Sequence, residues 1–182
     1  MKDTKSYLSK IVQDMPDSGI KDFFDVANTM EGALSLGVGE PDFPTPEHVR
    51  EAAIASIKKG DTKYTDNRGT VELRAAAADY LTKFDLHYDK QDEILITMGA
   101  SEGIDLALRT LVNPGEEVLV AEPSYVSYIP CIELCGGVPV SLKLRAENKF
   151  RLTREQLEEK ITEKSKVLLI SYPNNPTGAI ME

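Results

Sequence analysis

One short segment carries the residue types that a phosphate-binding site needs. Residues 97–102, TMGASE, follow an apolar run at 94–96 and precede a helical pattern. Gly99 lets the backbone approach a ligand closely, the first helical N–H groups point outward, and Ser101 adds a hydroxyl. A tight strand-to-helix turn with Ser101 as its N-cap explains the same residues, and for this segment alone it is the preferred interpretation.

Two later loops add an aromatic ring and an amide. Tyr125 follows the apolar run 118–120, where its ring could cover a flat ligand, and a core aromatic at a loop explains it equally well. Asn175, in NNPTG after the run 167–170, offers an amide to a ligand oxygen or holds a turn. The turn is the better interpretation of that segment alone. Ligands of parallel sheets bind where such loops follow the strands.

Other familiar chemistries lack their residues. The glycine pair in 37–39 is followed by EPD, so the third glycine of a dinucleotide fingerprint is missing, and no GKS or GKT occurs. His48 and His87 lie far apart and are typical of surface residues, with no Ser-His-Asp or Cys-His set around them. Cys131 and Cys135 are one helical turn apart, which favours two reduced thiols over a metal site or disulfide.

Composition indicates an ordinary soluble protein. The 182 residues are 41% hydrophobic and 28% charged, which suits one medium domain with a real core. The formal net charge of -9 argues against a nucleic-acid partner, because phosphate binding needs clustered Lys and Arg. No basic amphipathic or long apolar stretch predicts a membrane partner, and the polar start resembles no signal peptide. A cytoplasmic protein is expected.

Short apolar runs alternate with helical patterns along the chain. This alternation predicts an α/β fold, with a mostly parallel sheet covered by helices on both faces and an N-terminal arm before it. The arm is expected to hold one short helix near residues 20–30. Strands are predicted at 94–96, 118–120, 138–144 and 167–170, and helices from a Thr45 cap to Gly60, after Thr70, at 104–111, from Ser127 to 136–137, and from a Thr153–Gln156 capping box to Ile161.

The motifs share an order that resembles a known family. GxGEPDFxTP, KYTxxxG, GASE, PSYxxY and NNPTG follow one another between Leu34 and Gly178, and the chain resembles class I/II aminotransferases of pyridoxal-phosphate (PLP) fold type I. NNPTG and GEPDF together are specific for this family, and the other motifs support the resemblance mainly through their order and spacing. The resemblance implies an arm or small-domain segment at 1–45 and a partial PLP-binding large domain at 46–182.

The resemblance also implies roles for individual residues. Ala100 and Ser101 would bind the cofactor phosphate, Tyr125 would stack on the pyridine ring, and Asn175 would hydrogen-bond the phenolic oxygen of the ring. Tyr64 resembles the tyrosine that reaches the phosphate of the neighbouring subunit, which implies a homodimer. The remaining implied contact is that of Gly39, whose backbone would lie against the substrate carboxylate.

Amino-group transfer between an amino acid and a 2-oxo acid is the implied reaction. Its Schiff-base lysine, its Asp-x-x-Tyr segment and its substrate arginine would all lie beyond residue 182, so the chain corresponds to the N-terminal part of the enzyme. The lysines at 58, 59, 164 and 166 stand in the wrong context to replace the missing one. We therefore predict that the 182-residue chain alone does not transaminate.

Several alternatives stay open. A PLP-dependent lyase or synthase of the same fold, such as a carbon–sulfur lyase, would carry its distinguishing residues further on. A non-catalytic protein that keeps this part of the fold is a third possibility, whereas the roughly forty residues before EPD leave no room for the winged-helix domain of a regulator. Aspartate, alanine, aromatic and diaminopimelate-type donors are all compatible. An uncovered sheet edge would favour association between copies.

Overall fold

The computed structural model describes residues 4–16, 26, 29–32, 39 and 41–181. It divides into two compact units, which we call the sheet unit (Met1–Met15 with Thr97–Glu182) and the helical unit (Pro16–Ile96). Most of the short helix expected near residues 20–30 lies outside the described residues. No helix in the described part of the chain has both the length and the apolar character that crossing a bilayer requires.

From residue 117 onward, strands and helices follow one another in the expected alternation. The strands are β1 (Glu117–Glu122), β2 (Val138–Lys143) and β3 (Ser165–Leu169). The α-helices are α1 (Lys10–Asp14), α2 (Glu47–Lys59), α3 (Val71–Leu81), α4 (Ala100–Leu111), α5 (Tyr128–Leu134) and α6 (Arg154–Lys160), and 3-10 turns cover Thr4–Tyr7, Thr82–Phe84 and Ala146–Asn148. The α2 and α3 helices belong to the helical unit, and the other α-helices belong to the sheet unit.

The three strands form one parallel sheet in the order β2-β1-β3. The central strand β1 is buried on both faces, with Val118 and Val120 fully buried on one face and Leu119 and Ala121 almost fully buried on the other. Val118 and Val120 pack with α4 and α5, including the fully buried Ile132. Burial of both faces explains why β1 is continuously apolar rather than alternating. The predicted α/β class is confirmed.

A proline inside β2 fits its position at the edge of the described sheet. Val138 and Leu144 donate their N–H groups to the carbonyls of Glu116 and Glu122, on the β1 side. Because successive residues of a strand point in opposite directions, Pro139 turns its nitrogen toward the unpaired edge. Its missing N–H therefore removes no bond from the ladder.

Local signals for helix ends were mostly correct. Both halves of the Thr153–Gln156 capping box are present, and Thr70 accepts from the Leu73 N–H at 3.3 Å. Gly60 ends α2 in the left-handed region, with φ of 84°. The Thr45 cap was wrong, because Pro46 is extended with ψ of 141° and is itself the N-cap, so α2 begins one residue later than a Thr45 cap requires.

The apolar run at 94–96 does not form the predicted strand. Ile96 donates its N–H to the Arg68 carbonyl at 3.0 Å, but no ladder forms over the run in the described part of the helical unit. An apolar run supplies strand propensity, whereas a strand also needs a neighbouring chain with matching hydrogen-bonding groups. The prediction failed on that second requirement.

Candidate cofactor cleft

A cleft of about 470 Å³ lies in the sheet unit, where the loops after β1 and β3 meet the start of α4. This is the carboxyl edge of the parallel strands, at which ligands of α/β sheets bind. Four residues predicted to contact a cofactor come together here: Ala100, Ser101, Tyr125 and Asn175. The other lining residues are Met98, Gly99, Ile104, Tyr128 and Ser171.

Gly99 sets the geometry of the turn into α4. It is the N-cap and has φ of 86° and ψ of 165°, a conformation that essentially only glycine adopts. A Cβ built on Gly99 would meet no atom within 4 Å, so the backbone conformation, rather than crowding, requires glycine. Ser101 lies within the first turn of α4, and its predicted role as N-cap was therefore wrong.

The start of α4 presents donors that the helix itself does not use. The first intrahelical bond runs from the Gly103 N–H to the Gly99 carbonyl, at 3.4 Å. The N–H groups of Ala100 and Ser101 precede it and have no acceptor one turn back in the helix. Together with the helix dipole, such groups favour an anion at this end of α4.

Two side chains hold the turn in place. The Thr97 hydroxyl donates to the Gly99 carbonyl at 3.0 Å, and the Glu102 carboxylate accepts from the Met98 N–H. Glu102 thus satisfies a backbone donor in the segment just before α4 and places its negative charge favourably in the first turn of the helix. Within the part of the chain that the structure describes, the N–H groups of Ala100 and Ser101 have no acceptor.

Tyr125 lines the cleft and also packs against the core. Its ring lies edge-on to Tyr128, with centroids 5.6 Å apart and planes at 82°, and it contacts the buried cluster around β1. Its hydroxyl lies 3.1 Å from the Ser101 Oγ. Hydrogen bonds from the Ser101 and Ser127 hydroxyls lower the pKa of Tyr125 below its usual value. The core-aromatic and ligand-facing interpretations are therefore compatible.

The loop after β3 is held by Asn174, a residue that the sequence interpretation missed. The Asn174 side chain is buried; it donates to the Pro123 carbonyl at 3.3 Å and accepts from the Thr177 N–H at 3.2 Å and its hydroxyl at 2.9 Å. Asn174 therefore ties the loop after β3 to the loop after β1. Asn175 is exposed at the cleft, so the turn-holding role belongs to its neighbour. Paired asparagines before a proline are the only sequence signal for it.

Two predicted site residues belong to the helical unit. Tyr64 is fully exposed, and Gly39 is exposed with no atom within 4 Å of where a Cβ would stand. Their roles toward the phosphate and the substrate carboxylate stay predictions. The free thiols Cys131 and Cys135 lie along α5 and at its C-terminal end, and burial raises the pKa of Cys131, which disfavours the reactive thiolate.

The parallel sheet and the helices packed on it define an α/β domain, and sequence comparison identifies its family. The model of the family Aminotransferase class I and II matches residues 31–182, and the chain belongs to this family. YugH of Bacillus subtilis strain 168, an aminotransferase by provisional assignment, is 49% identical over 176 residues. Aromatic-amino-acid aminotransferase 2 of Thermococcus litoralis is 43% identical over 175 residues.

Solved structures show the same architecture. A Pyrococcus structure titled protein-A1 superposes with a TM-score of 0.90 at 40% identity, covering 94% of this chain and 44% of that one. The aspartate aminotransferase from Rhizobium meliloti gives a TM-score of 0.88 at 37% identity, covering 96% of this chain and 45% of that one.

The chain spans about half the length of the curated relatives it matches. The YugH match covers 96% of this chain and 46% of YugH, and the Thermococcus match covers 96% and 45%. Members of the family use pyridoxal phosphate as cofactor. The N-terminal part of a PLP-dependent aminotransferase fold, expected from the motif order, is confirmed.

Proposed function

We propose that this chain supplies the cofactor seat of a PLP-dependent aminotransferase that moves an amino group between an amino acid and a 2-oxo acid. The observation that carries the proposal is the cleft, which brings Ala100, Ser101, Tyr125 and Asn175 together at one edge of the sheet. These residues come from three separate segments of the chain. The relatives named for aspartate and aromatic amino acids leave the donor open.

The described residues fit the chemistry of the cofactor. A phosphate suits the N–H groups of Ala100 and Ser101, because the start of α4 is electropositive and Gly99 leaves open space beside it. A flat ring suits the face of Tyr125, which Tyr128 and the core hold in place. The volume of about 470 Å³ is within the range of cofactor and small-ligand sites. Bound there, PLP would supply an electron sink.

Each cleft residue then has a binding role. Ala100 and Ser101 donate to the phosphate, Tyr125 covers one face of the ring, and Asn175 offers its amide to the phenolic oxygen. Two further roles complete the proposal: Tyr64 contacts the phosphate of a second copy in a homodimer, and Gly39 lies against the substrate carboxylate. The same proposal includes an arm or small-domain segment at residues 1–45, a partial PLP-binding large domain at residues 46–182, and a cytoplasmic location.

The chain by itself is proposed to bind the cofactor without transaminating. Among the described residues no lysine lines the cleft, so none is placed there to form the Schiff base or to move the proton at the substrate. Borohydride reduction of the chain mixed with PLP, followed by peptide mass mapping, tests this. We expect no single modified lysine. One stoichiometric phosphopyridoxyl-lysine would show that the chain has its own Schiff-base residue.

Calorimetry with pyridoxine 5′-phosphate tests the seat itself. This compound carries the ring and the phosphate but no aldehyde, so it cannot condense with surface lysines. We expect the wild-type chain to bind it, and Ser101→Ala to raise the Kd about tenfold, since a hydrogen bond to a charged group contributes roughly 1.5 kcal/mol. Ser56→Ala, in α2 of the helical unit, is the matched control. Absence of wild-type binding, or equal losses in both variants, would refute the proposed seat.

A further inference from the structure

The hydrogen bond between Ser101 and Tyr125 joins the phosphate seat to the ring-covering residue. The two oxygens are 3.1 Å apart, although the residues are 24 positions apart in sequence. Each partner is fixed from its own side, Ser101 by the first turn of α4 and Tyr125 by the edge-on contact with Tyr128. The contact is therefore set by the packing of the loop after β1 against α4, rather than by a local turn.

When an anion is bound to Ser101, the number of hydroxyl protons determines which residue donates in the hydrogen bond between Ser101 and Tyr125. A serine hydroxyl has one proton to donate and two lone pairs to accept with. If Ser101 donates its single proton to a phosphate oxygen, then Ser101 must accept from Tyr125, so the tyrosine hydroxyl is the donor. Ser127, the N-cap of α5, is a second hydroxyl that interacts with the Tyr125 oxygen. The Tyr125 and Ser101 hydroxyls then form a chain that ends at the phosphate.

We propose that the Tyr125 hydroxyl is a positioning group, which donates to Ser101 and thereby turns the Ser101 proton toward the cofactor phosphate. This inference rests on the proposed function and adds to it a second role for Tyr125, separate from covering the ring. Hydrogen bonds in a chain polarise one another, so Tyr125 strengthens the bond that Ser101 makes.

The two roles of Tyr125 separate in a single substitution. Tyr125→Phe keeps the ring and its contact with Tyr128 but removes the hydroxyl. We expect its Kd for pyridoxine 5′-phosphate to rise about fivefold, the effect of losing one neutral hydrogen bond of roughly 1 kcal/mol. Pyridoxine, which has the ring and no phosphate, is expected to bind the variant as it binds the wild type. Tyr80→Phe, in α3 of the helical unit, is the matched control and should change neither Kd.

A double variant tests whether Tyr125 acts through Ser101. Ser101→Ala/Tyr125→Phe is expected to bind pyridoxine 5′-phosphate no more weakly than Ser101→Ala alone, because the hydroxyl has lost the group that it orients. Additive losses would instead mean that the Tyr125 hydroxyl contacts the ligand independently, and would overturn the inference. Equal weakening of pyridoxine and of its phosphate by Tyr125→Phe would also overturn it, since that pattern reports loss of ring contact.

A spectroscopic readout is independent of cofactor loading. In protein with 13Cζ-labelled tyrosine, the resonance absent from Tyr125→Phe identifies Tyr125. In the unliganded chain, we expect Ser101→Ala to raise the pKa of Tyr125, measured from the pH dependence of this resonance. We expect inorganic phosphate to shift the resonance in the wild type but not in Ser101→Ala. A wild-type chain that binds neither phosphate nor pyridoxine 5′-phosphate would refute the proposed function. Wild-type binding with an unaffected Tyr125→Phe would refute this inference alone.

Discussion

The sheet unit and the helical unit bury different kinds of side chain. In the sheet unit Val118, Val120 and Ile132 are 0% exposed, and they form one apolar cluster with α4 and α5. In the described part of the helical unit the buried side chain is a cation, Arg74, which is 1% exposed. Most of the large apolar side chains of α2 and α3 are exposed, as Ile57 is at 68%, and Leu81 is half-buried.

Arg74 holds the helical unit through backbone carbonyls. Its guanidinium donates to the carbonyl of Gly69 at 3.2 Å, of Lys90 at 2.5 Å and of Gln91 at 2.9 Å, and it lies 3.7 Å from the Asp66 carboxylate. One side chain thereby joins α3, the turn before it and the turn at 90–91. Apolar burial spreads stabilisation over many contacts, whereas a buried cation concentrates it in a few directional bonds.

The largest effect is expected from the apolar core. Ile132→Ala should lower the free energy of unfolding of the sheet unit by about 3 kcal/mol, because it removes fully buried methyl groups and leaves a cavity. Hydrogen exchange at the β1 amides in increasing urea measures it. The matched variant Ile57→Ala, in the exposed face of α2, should change stability by less than about 0.5 kcal/mol. Similar losses of stability in Ile132→Ala and Ile57→Ala would mean that the two units do not differ in how much they depend on buried apolar side chains.

A somewhat smaller effect is expected from the buried cation. Arg74→Met should destabilise the helical unit by about 2 kcal/mol, because it removes the charged donor that three backbone carbonyls share. Hydrogen exchange across residues 66–74 and 88–93 reports this loss. Arg68→Met, whose side chain is 45% exposed, is the control and should destabilise the unit clearly less than Arg74→Met. If Arg74→Met accelerated exchange in β1 as strongly as in α3, the units would not be separately stabilised.

The turn into α4 tests backbone conformation without a change of packing. Gly99→Ala should cost about 1–2 kcal/mol, since the left-handed φ strains any side-chain-bearing residue even where space is open. It should also weaken binding of pyridoxine 5′-phosphate, because the helix start would shift. Gly103→Ala, inside α4, is the control and should be neutral or stabilising. Unchanged thermal stability and Kd in Gly99→Ala would show that the turn does not require glycine at this position.

The smallest effect concerns acid stability of the helical unit. Hydrogen bonds and charge from Arg68, with a further contribution from Arg74, lower the pKa of Asp66 below its ordinary 3.8. A lowered folded-state pKa stabilises the unit above that ordinary value, and the stabilisation is lost as the pH falls through the folded value. As the pH falls from about 5 to 2, the protection of the 66–74 amides, corrected for the intrinsic exchange rate at each pH, should therefore fall less in Asp66→Asn than in the wild type. Arg68→Met should also reduce the pH dependence of protection. An unchanged pH dependence in both variants would mean that Asp66 and its arginine partners are not the source of the acid sensitivity.

Predictions from the sequence succeeded where the cause was local. The capping box at Thr153 and Gln156, the glycine end of α2 and the continuous apolar run of β1 each depend on residues a few positions apart. Arg74 was missed because nothing within one turn of α3 distinguishes it from an exposed arginine. Its partners at residues 90 and 91 are 16 and 17 positions away, and only the fold brings them together.

The sequence by itself determined the order of elements, the glycine turn before α4 and the family to which the chain belongs, because these depend on short motifs and their spacing. Tertiary structure decided which side chains line the cleft and which hold its loops. It assigned the turn to Asn174 rather than Asn175, and it brought the Ser101 hydroxyl to Tyr125 instead of to a helix cap. Hydrogen bonds between distant segments depend on how strands and helices pack, and a linear pattern of residue types carries no distances across that packing.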